Sequence, residues 1–377
     1  MPPVRPSLLP IDAERALLLG RVWRSETGGP ALVTVRDGRL VDLSAHAVTM
    51  AELLDHPNLL HLVRHAHGPT LAQPLHADAQ LLAPCDLQAI KACGVTFAVS
   101  LLERVIEAQA GGDAARAHQL RAELHDSIGS DLSTIRPGSE AARKLKAEFV
   151  AHGAWSPYLE VGLGPDAEVF TKAQPMSAVG CGAAVGLHPD SQWNNPEPEV
   201  VLAVNGRAEV VGATLGNDVN LRDIEGRSAL LLGKAKDNNA SCAIGPFIRL
   251  FDEHFTLDTV RQAEVSLRIE GADDGFVLEG LSRMQQISRD PLELVGHACG
   301  PHHQYPDGFM LFLGTMFSPI QDRGAPGAGF THRLGDRVTI ASPALGALVN
   351  TVQRSDALPP WTYGVGALMK HLHRRAA

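Results

Sequence analysis

One short stretch limits the fold and the chemistry of this chain more than any other: PEPEVVLAVNGRAEVVGATLGNDVN, residues 196–220. On an extended backbone, side chains two positions apart point in the same direction, so Glu197 and Glu199 are expected to present their carboxylates on one face. The apolar run after Glu199 predicts a buried strand. A second apolar strand and a glycine that permits a tight turn precede Asp218, so two strands joined by a turn can bring Asp218 back to the glutamate pair.

Three converging carboxylates are typical of a metal site. Like charges held side by side repel and raise one another's pKa unless a positive charge lies between them, and a divalent cation supplies that charge. An all-oxygen ligand set with positions left for water predicts Mg2+, with Mn2+ or Ca2+ as substitutes, and the absence of a histidine-rich spacing disfavours zinc. The alternative is a pair of solvated glutamates at the start of a strand, because acidic side chains are seldom buried.

The composition indicates a globular protein rich in turns and strands. The chain has 36 glycines and 25 prolines, which favour many turns over long helices. Its formal net charge of -9 and the lack of a basic cluster predict no nucleic-acid partner. No stretch approaches ~18 uncharged apolar residues and no signal-peptide pattern opens the sequence, so we expect a cytoplasmic protein with no membrane partner. Five scattered cysteines without a Cys-x-x-Cys spacing predict free thiols.

Two domains are predicted, a small β-rich one over residues 1–80 and a larger one over residues 85–377. Asp37 and Gly38 lie between apolar runs and predict a hairpin. The start of the larger domain predicts a short apolar element that ends near Phe97, followed by a helix. Its second half changes to apolar runs separated by Gly, Pro and Asp, which predicts an antiparallel or mixed sheet system. The sequence contains neither a Gly-x-Gly-x-x-Gly loop nor a P-loop, which disfavours both nucleotide-binding folds.

With these residues the chain resembles the fumarylacetoacetate hydrolase superfamily. The metal signature of that family is a Glu-x-Glu strand start, then a Gly-Asn-Asp turn, then a lysine before a Gly-Pro pair. The matching segments follow one another in this chain: PEPEV, LGNDVNLRD, KAKDNNASCAIGP, GTMFSPI and LGDRVTIASPALGALVNTV. The resemblance covers roughly residues 85–355 and implies an α+β, strand-rich fold, the family's mixed β-roll. It also implies a homodimer or a dimer of dimers with the metal site in a cleft.

Within the superfamily the chain looks most similar to dehydratases of 2-keto-3-deoxy sugar acids, such as 2-keto-3-deoxy-D-xylonate or arabinonate. Family hydrolases usually carry a His-x-x-Glu pair that activates water, shortly after a strand that ends in an aromatic residue. The corresponding positions here are Ser100 and Glu103, so the histidine base is missing. Glu168 lies four residues before Lys172, in the arrangement that resembles the dehydratase group; a solvated acid is the alternative reading of Glu168.

The resemblance implies a Mg-dependent hydro-lyase that forms 2-ketoglutarate semialdehyde in pentose oxidation. The metal on Glu197, Glu199 and Asp218 is expected to hold the 2-keto acid by a carboxylate oxygen and the keto oxygen, and to acidify the C3 hydrogens. Lys236, which precedes the Gly-Pro pair, is assigned to enolate stabilisation or C3 proton transfer, with its pKa lowered by burial and by the charge of the metal. Glu168 is assigned to acid/base work at the departing hydroxyl.

Further residues are predicted to contact the substrate or to compete for these roles. Lys234 is a rival for the lysine role, although the residue count back from the Gly-Pro pair favours Lys236. Substrate contacts are predicted for Lys172, Ser100 and Thr315. A surface cation is the alternative for Lys172, and a structural role is the alternative for Thr315, as for most lone threonines in strands.

Three other functions stay open from the sequence. The first is a hydrolase that cleaves a C–C bond of a 2,4-diketo acid with the same metal chelate; Ser100 is the feature against it. The second is a metal-dependent decarboxylase or isomerase. The third is an inactive binding protein, which the retained carboxylates and lysine disfavour because buried acids without a function destabilise a fold.

Overall fold

The structure is a computed structural model that describes residues 7–73, 75–76, 80–125, 135–151, 155–317, 319–325 and 329–376. These residues form sixteen strands and eleven helices. The strands are β1 (Leu18–Arg24), β2 (Gly29–Arg36), β3 (Arg39–Asp42), β4 (Ala89–Gly94), β5 (Glu168–Ala173), β6 (Ala184–Leu187), β7 (Asn194–Asn195), β8 (Pro198–Val204), β9 (Val210–Asp218), β10 (Asn220–Leu221), β11 (Cys242–Leu250), β12 (Glu264–Glu270), β13 (Val277–Arg283), β14 (Phe309–Phe312), β15 (Arg337–Ser342) and β16 (Gly346–Arg354). The helices are α1 (Met50–Leu54), α2 (Leu59–His65), α3 (Ala98–Ala110), α4 (Ala114–His125), α5 (Glu140–Ala151), α6 (Pro157–Leu163), α7 (Arg222–Glu225), α8 (Leu232–Lys236), α9 (Leu257–Arg261), α10 (Pro291–Ala298) and α11 (Val365–Ala376).

The strands build a mixed sheet system, as predicted. The largest sheet has nine strands in the order β3-β2-β1-β11-β9-β8-β14-β4-β5, and a second sheet has five in the order β13-β12-β15-β16-β6. β7 and β10 form a separate two-stranded ribbon. Within the large sheet β14 runs parallel to β4, and within the second sheet β16 runs parallel to β6. The remaining pairs between these strands are antiparallel.

Strand β8 lies deep in the large sheet, and its side chains are buried on both sides. Val200 and Leu202 belong to the core between the two large sheets, together with apolar side chains of β12 and β15. Val201 and Ala203 belong to a second core, on the side where α1 and α2 pack. Because successive side chains of a strand point to opposite faces, a strand buried on both sides needs an unbroken apolar run, which VVLAV supplies. The carboxylates stand at the N-terminal end of this anchored strand.

The N-terminal strands form one edge of the large sheet. β2 and β3 are joined by Asp37 and Gly38, both with left-handed φ angles of 50° and 68°, which confirms the predicted hairpin. β1 pairs with β11, so the strands on both sides of the predicted boundary near residue 80 belong to the same sheet. The division into domains at this position stays a prediction.

The helix expected after Phe97 is present as α3, and it buries more charge than its sequence pattern indicates. Leu101 and Val105 lie on its buried face, but so do Glu103 and Glu107. A buried carboxylate is stable only when a cation or hydrogen-bond donors accompany it. Arg121 and Arg222 reach these two glutamates from other helices, and Arg104 of α3 itself pairs with Glu107. These contacts connect α3 with the candidate site.

The cysteines and the length of the helices are two further features of the fold. All five cysteines are free thiols, which confirms the prediction. Cys181 is fully buried, and its sulfur accepts a hydrogen bond from the backbone N–H of Val349 at 3.3 Å, in agreement with a packing role. Across the described ranges, no helix combines the length and the apolar character that crossing a membrane requires.

Candidate metal centre

Glu197, Glu199 and Asp218 converge at the paired ends of β8 and β9. The antiparallel register places Glu199 opposite Gly216, and the backbone N–H of Asp218 donates to the carbonyl oxygen of Glu197 at 3.1 Å. One carboxylate oxygen from each of the three residues lies within 4.8 Å of the others. All three side chains are buried. The hairpin therefore brings Asp218 back to the glutamate pair in the way that the sequence predicts.

Each carboxylate of this cluster accepts hydrogen bonds from other parts of the chain, and Lys236 serves two of them. Oε2 of Glu199 accepts the backbone N–H of Gly314 at 2.6 Å. Glu197 accepts from Arg104 at 2.6 Å through one oxygen and from Lys236 at 2.5 Å through the other. Lys236 also donates to Oδ2 of Asp218 at 3.2 Å. These contacts orient the three carboxylates toward a common point from separate parts of the chain.

Two carboxyl groups of the cluster have pKa shifts in opposite directions. Burial, with Asp218 and Glu197 as neighbouring charges, raises the pKa of Glu199 well above its ordinary value. Burial acts in the same direction on Asp218, but the ammonium groups of Lys172 and Lys236 outweigh it and lower the pKa of Asp218. Adjacent carboxylates with opposed pKa shifts are a feature of functional sites.

The three carboxylates face a small cavity of about 30 Å3. Its lining contains predicted site residues and several that were not predicted: Cys93, Gly94, Val95, Ser100, Arg104, Glu168, Phe170, Glu197, Glu199, Asp218, Glu225, Lys236, Gly314 and Thr315. A space of this size holds about one water molecule or one ion. The donor set, all carboxylate oxygens, suits a hard cation such as Mg2+.

Two curated relatives match part of the chain, while no family model matches it. A probable 2-keto-3-deoxyxylonate dehydratase of Haloferax volcanii is 33% identical over 195 residues, which cover 52% of this chain and 63% of that protein. A 2-dehydro-3-deoxy-D-arabinonate dehydratase of Saccharolobus solfataricus is 29% identical over 187 residues, 50% of this chain and 59% of that protein. The matches thus span about three-fifths of each relative's length.

Solved structures share the fold over most of the chain. The apo form of a 2-keto-3-deoxy-D-arabinonate dehydratase superposes with a TM-score of 0.62 at 20% identity, over 89% of this chain and 98% of that one. A structure of the same kind of enzyme, complexed with magnesium and 2,5-dioxopentanoate, gives 0.61 with the same identity and coverage. A fumarylacetoacetate hydrolase from Exiguobacterium antarcticum gives 0.54 at 16% identity, over 89% of this chain and 99% of that one. The chain shares the fold of these dehydratases and of this fumarylacetoacetate hydrolase. The predicted fold class is confirmed, and the curated relatives support the predicted resemblance to dehydratases of 2-keto-3-deoxy sugar acids.

The lysine at the cavity is Lys236. It ends α8, and its Nζ atom lies against Glu197 and Asp218. Lys234 points elsewhere and pairs with Asp190 at 2.7 Å near the surface. The predicted lowering of the pKa of Lys236 included the charge of a bound metal, and the charges of the chain alone act in the opposite direction. Burial does act to lower it, but Asp218, Glu197 and Glu225 outweigh burial and raise the pKa of Lys236 above its ordinary value.

The other predicted site residues divide between the cavity and its surroundings. Glu168, Ser100 and Thr315 line the cavity, and burial raises the pKa of Glu168. The Ser100 hydroxyl donates to the carbonyl oxygen of Phe97 at 2.9 Å, which ties it to the start of α3. Lys172 is neither a surface cation nor part of the cavity lining, because it is fully buried and pairs with Asp218 at 2.7 Å.

Sequence reasoning missed two charged residues of the cavity, Arg104 and Glu225. Arg104 follows Ser100 by one helical turn on α3, so the two share a face, and this spacing was an available signal. Glu225 ends α7, and only the folding of the chain brings it 3.2 Å from Nη1 of Arg104. Burial raises the pKa of Glu225 to about 7, against the opposing charges of Arg104 and Lys236.

The charged side chains around the cavity belong to a longer series of ion pairs. Cations and carboxylates alternate along it, with neighbours 3.2 Å or less apart, in the order Arg121, Glu103, Arg222, Glu107, Arg104, Glu197, Lys236, Asp218 and Lys172. Glu199, Glu225 and Glu168 add three carboxyl groups at the cavity. Seven carboxyl groups therefore meet five cations around the cavity. This surplus of acidic groups, like the donor type, suits a divalent cation.

Proposed function

We propose that the chain is a Mg-dependent dehydratase of a 2-keto-3-deoxy sugar acid, such as 2-keto-3-deoxy-D-xylonate or arabinonate. Its product would be 2-ketoglutarate semialdehyde, that is, 2,5-dioxopentanoate. Support comes from the names of the two curated relatives and from the similar structure that holds magnesium and 2,5-dioxopentanoate. The buried carboxylate cluster of this chain suits the same type of ion.

The proposal rests on which side chains of α3 face the cavity. Ser100 and Arg104 line the cavity, whereas both carboxylate oxygens of Glu103 are bound by Arg121, with Arg222 on one of them. Hydrolysis requires a base that takes a proton from water. No histidine occurs among the described residues that line this cavity, and Glu103 is turned away. An elimination needs no activated water, so this geometry favours a lyase over a hydrolase.

The roles of the charged residues follow from their positions. Glu197, Glu199 and Asp218 would hold Mg2+, which when bound supplies a Lewis acid that polarises the keto group of the substrate. Lys236 is held protonated by the surrounding carboxylates. Of its two predicted roles, stabilising negative charge on a substrate oxygen fits this state, because an ammonium group has no lone pair with which to accept the C3 proton.

Glu168 is suited to give a proton to the departing hydroxyl. Its raised pKa, caused mainly by burial, favours the neutral carboxyl form that can donate. Glu168 lines the cavity, and no side-chain hydrogen bond of its carboxyl group is found among the described residues, which leaves that group available to the substrate. Ser100 and Thr315 are proposed as substrate contacts, and Lys172 as the residue that positions Asp218.

The substrate is larger than the cavity. A volume of about 30 Å3 admits an ion or a water molecule, so a five-carbon acid would extend beyond this space or widen it when it binds.

The homodimer or dimer of dimers stays a prediction that light scattering can test.

A product analysis tests the function. Purified protein with Mg2+ is incubated with 2-keto-3-deoxypentonate and, separately, with a 2,4-diketo acid, and products are identified by NMR. We expect 2,5-dioxopentanoate from the first compound, abolished by EDTA and by Glu199→Gln, and retained by Lys234→Met, whose lysine lies outside the cavity. Pyruvate from the diketo acid without turnover of the sugar acid would instead establish the hydrolase.

A further inference from the structure

Arg104 and Glu225 form a charged pair in the cavity wall that the proposed roles leave unused. Nη1 of Arg104 lies 3.2 Å from Oε2 of Glu225, and Nζ of Lys236 lies 4.0 Å from the same oxygen. Both members of the pair line the cavity beside the carboxylate cluster. Neither belongs to the three residues whose oxygens converge on the metal position.

Glu225 is a buried carboxylate with unused hydrogen-bonding capacity. Only 4% of the residue is exposed, and Oε2 has no hydrogen-bond partner in the described structure, because the nearby guanidinium is close but poorly aligned. Most buried polar atoms are hydrogen-bonded, since an unmade bond costs roughly 1–3 kcal/mol. An oxygen of this kind at a cavity wall is positioned to accept a hydrogen bond from a ligand.

Glu107 shows what a purely structural glutamate looks like in the same network. It contacts the same arginine, but Oε2 accepts from Arg104 at 2.7 Å and Oε1 from Arg222 at 2.7 Å. Both of its oxygens are satisfied, and it is absent from the cavity lining. Glu225 differs from Glu107 in both respects, although both are buried carboxylates beside Arg104.

We propose that Glu225, supported by Arg104, is a subsite for a substrate hydroxyl group. A sugar acid presents hydroxyl groups that each need an acceptor, and the unpartnered Oε2 of Glu225 supplies one. In a 2-keto-3-deoxypentonate the C4 hydroxyl leaves and the C5 hydroxyl remains, so the C5 hydroxyl is the group that this subsite would recognise. The inference rests on the proposed function, because it assigns a specificity to the same cavity.

The subsite implies a preference for substrates that carry a C5 hydroxyl, and Glu225→Gln should remove this preference. Wild type should process 2-keto-3-deoxypentonate with a kcat/KM at least about tenfold above that for 4-hydroxy-2-oxopentanoate, which lacks the C5 hydroxyl but keeps the leaving group. Glu225→Gln replaces the charged acceptor by a neutral amide, so the ratio should fall roughly tenfold. Glu107→Gln removes a charge beside the same arginine and should preserve the ratio.

A binding measurement keeps the inference testable if Glu225→Gln is inactive. 5-Hydroxy-2-oxopentanoate and 2-oxopentanoate have no C4 hydroxyl to eliminate, so calorimetry with Mg2+ present reports binding alone. We expect wild type and Glu107→Gln to bind the hydroxylated compound about tenfold more tightly, and Glu225→Gln to bind the two compounds equally.

The outcomes separate this subsite from the function on which it rests. Equal preference ratios and equal binding ratios in wild type and Glu225→Gln would overturn the subsite and leave the dehydratase intact. Wild-type protein that dehydrates neither C4-hydroxy acid would overturn both. A loss of preference in Glu107→Gln as large as that in Glu225→Gln would assign the effect to the network as a whole and also overturn the subsite.

Discussion

A β-carbon placed on Gly94 would lie 2.0 Å from Oε2 of Glu168 and 2.7 Å from its Cδ. The two residues face each other across β4 and β5, where Gly94 pairs with Glu168. The missing side chain at residue 94 thus leaves the space in which the proposed proton donor rests. The absence of a side chain at Gly94 therefore sets the position of Glu168.

Gly94→Ala should therefore reduce turnover with little effect on folding. The clash falls on the far end of a flexible side chain, so Glu168 can move aside at small cost, but a displaced acid transfers protons poorly. We expect kcat to fall roughly 10–100-fold, the size of effect that a misplacement of about 1 Å produces. Gly296→Ala, in α10 where a β-carbon meets nothing within 4 Å, is the matched control. Unchanged kcat in Gly94→Ala would remove Glu168 from the mechanism.

Lys172→Met should destabilise the protein, because Lys172 balances a buried charge. Its Nζ atom lies 2.7 Å from Oδ1 of Asp218, and both side chains are buried. Removing one partner of a buried ion pair leaves an uncompensated charge, at a cost of about 3–5 kcal/mol. Chemical denaturation measures the loss. Lys234→Met removes a half-exposed lysine and should change the free energy of unfolding by less than about 1 kcal/mol.

A different outcome for Lys172→Met would restore the substrate-contact role that the sequence suggested. If Lys172 binds substrate, KM should rise while the free energy of unfolding stays at the wild-type value. Metal affinity separates the alternatives further, because the variant leaves Asp218 with Lys236 as its remaining close cation. A positioning role for Lys172 predicts an altered Mn2+ dissociation constant in the absence of substrate.

The carboxylate cluster could be predicted from the sequence because its geometry is local. The two-residue period of a strand places Glu197 beside Glu199, and the β8–β9 hairpin returns Asp218 to them within about one strand length. The Asp37–Gly38 turn was predictable for the same reason. In these cases the residues that decide the structure lie close together in the sequence, and elementary backbone rules connect them.

The rest of the site depends on contacts that no local rule supplies. Glu225 and Arg104 lie far apart in the sequence and meet through the packing of α7 against α3. The effect of the chain's own charges on the pKa of Lys236 is of the same kind, because it depends on how many carboxylates surround the ammonium group.

The pH dependence of stability should reveal Glu225. Its pKa is about 7 in the folded protein, above the ordinary 4.5, so between these values the folded state holds a proton that the unfolded state has lost. Stability contributed by the neutral form is therefore complete below about pH 4.5 and declines as the pH rises through about 7. The decline amounts to about 3 kcal/mol by the size of the shift.

Urea unfolding in EDTA, at about pH 5 and about pH 8, isolates this contribution when wild type is compared with Glu225→Gln. The amide cannot ionise, so the variant should lose less stability over the interval than wild type does. Other titrating groups affect both proteins alike and cancel in the comparison. Parallel pH dependences of the two proteins would show that Glu225 is ionised throughout the interval.

Removal of one cluster carboxylate should abolish stabilisation by metal. A ligand at 100 times its dissociation constant stabilises a folded protein by about 2.7 kcal/mol, so Mg2+ or Mn2+ should raise the Tm of wild type. Glu199→Gln removes one of the three converging oxygen donors, and its Tm should hardly respond to either ion.

Glu168→Gln is the matched control for the metal experiment, because Glu168 lines the same cavity outside the cluster of three. It should keep the rise in Tm with metal while it loses turnover, which separates holding the ion from moving the proton. The rise in wild type should also grow with pH, since the raised pKa of Glu199 means that protons compete with the metal for this carboxylate. If Glu199→Gln responds to metal as wild type does, the ion binds elsewhere and the three carboxylates have another function.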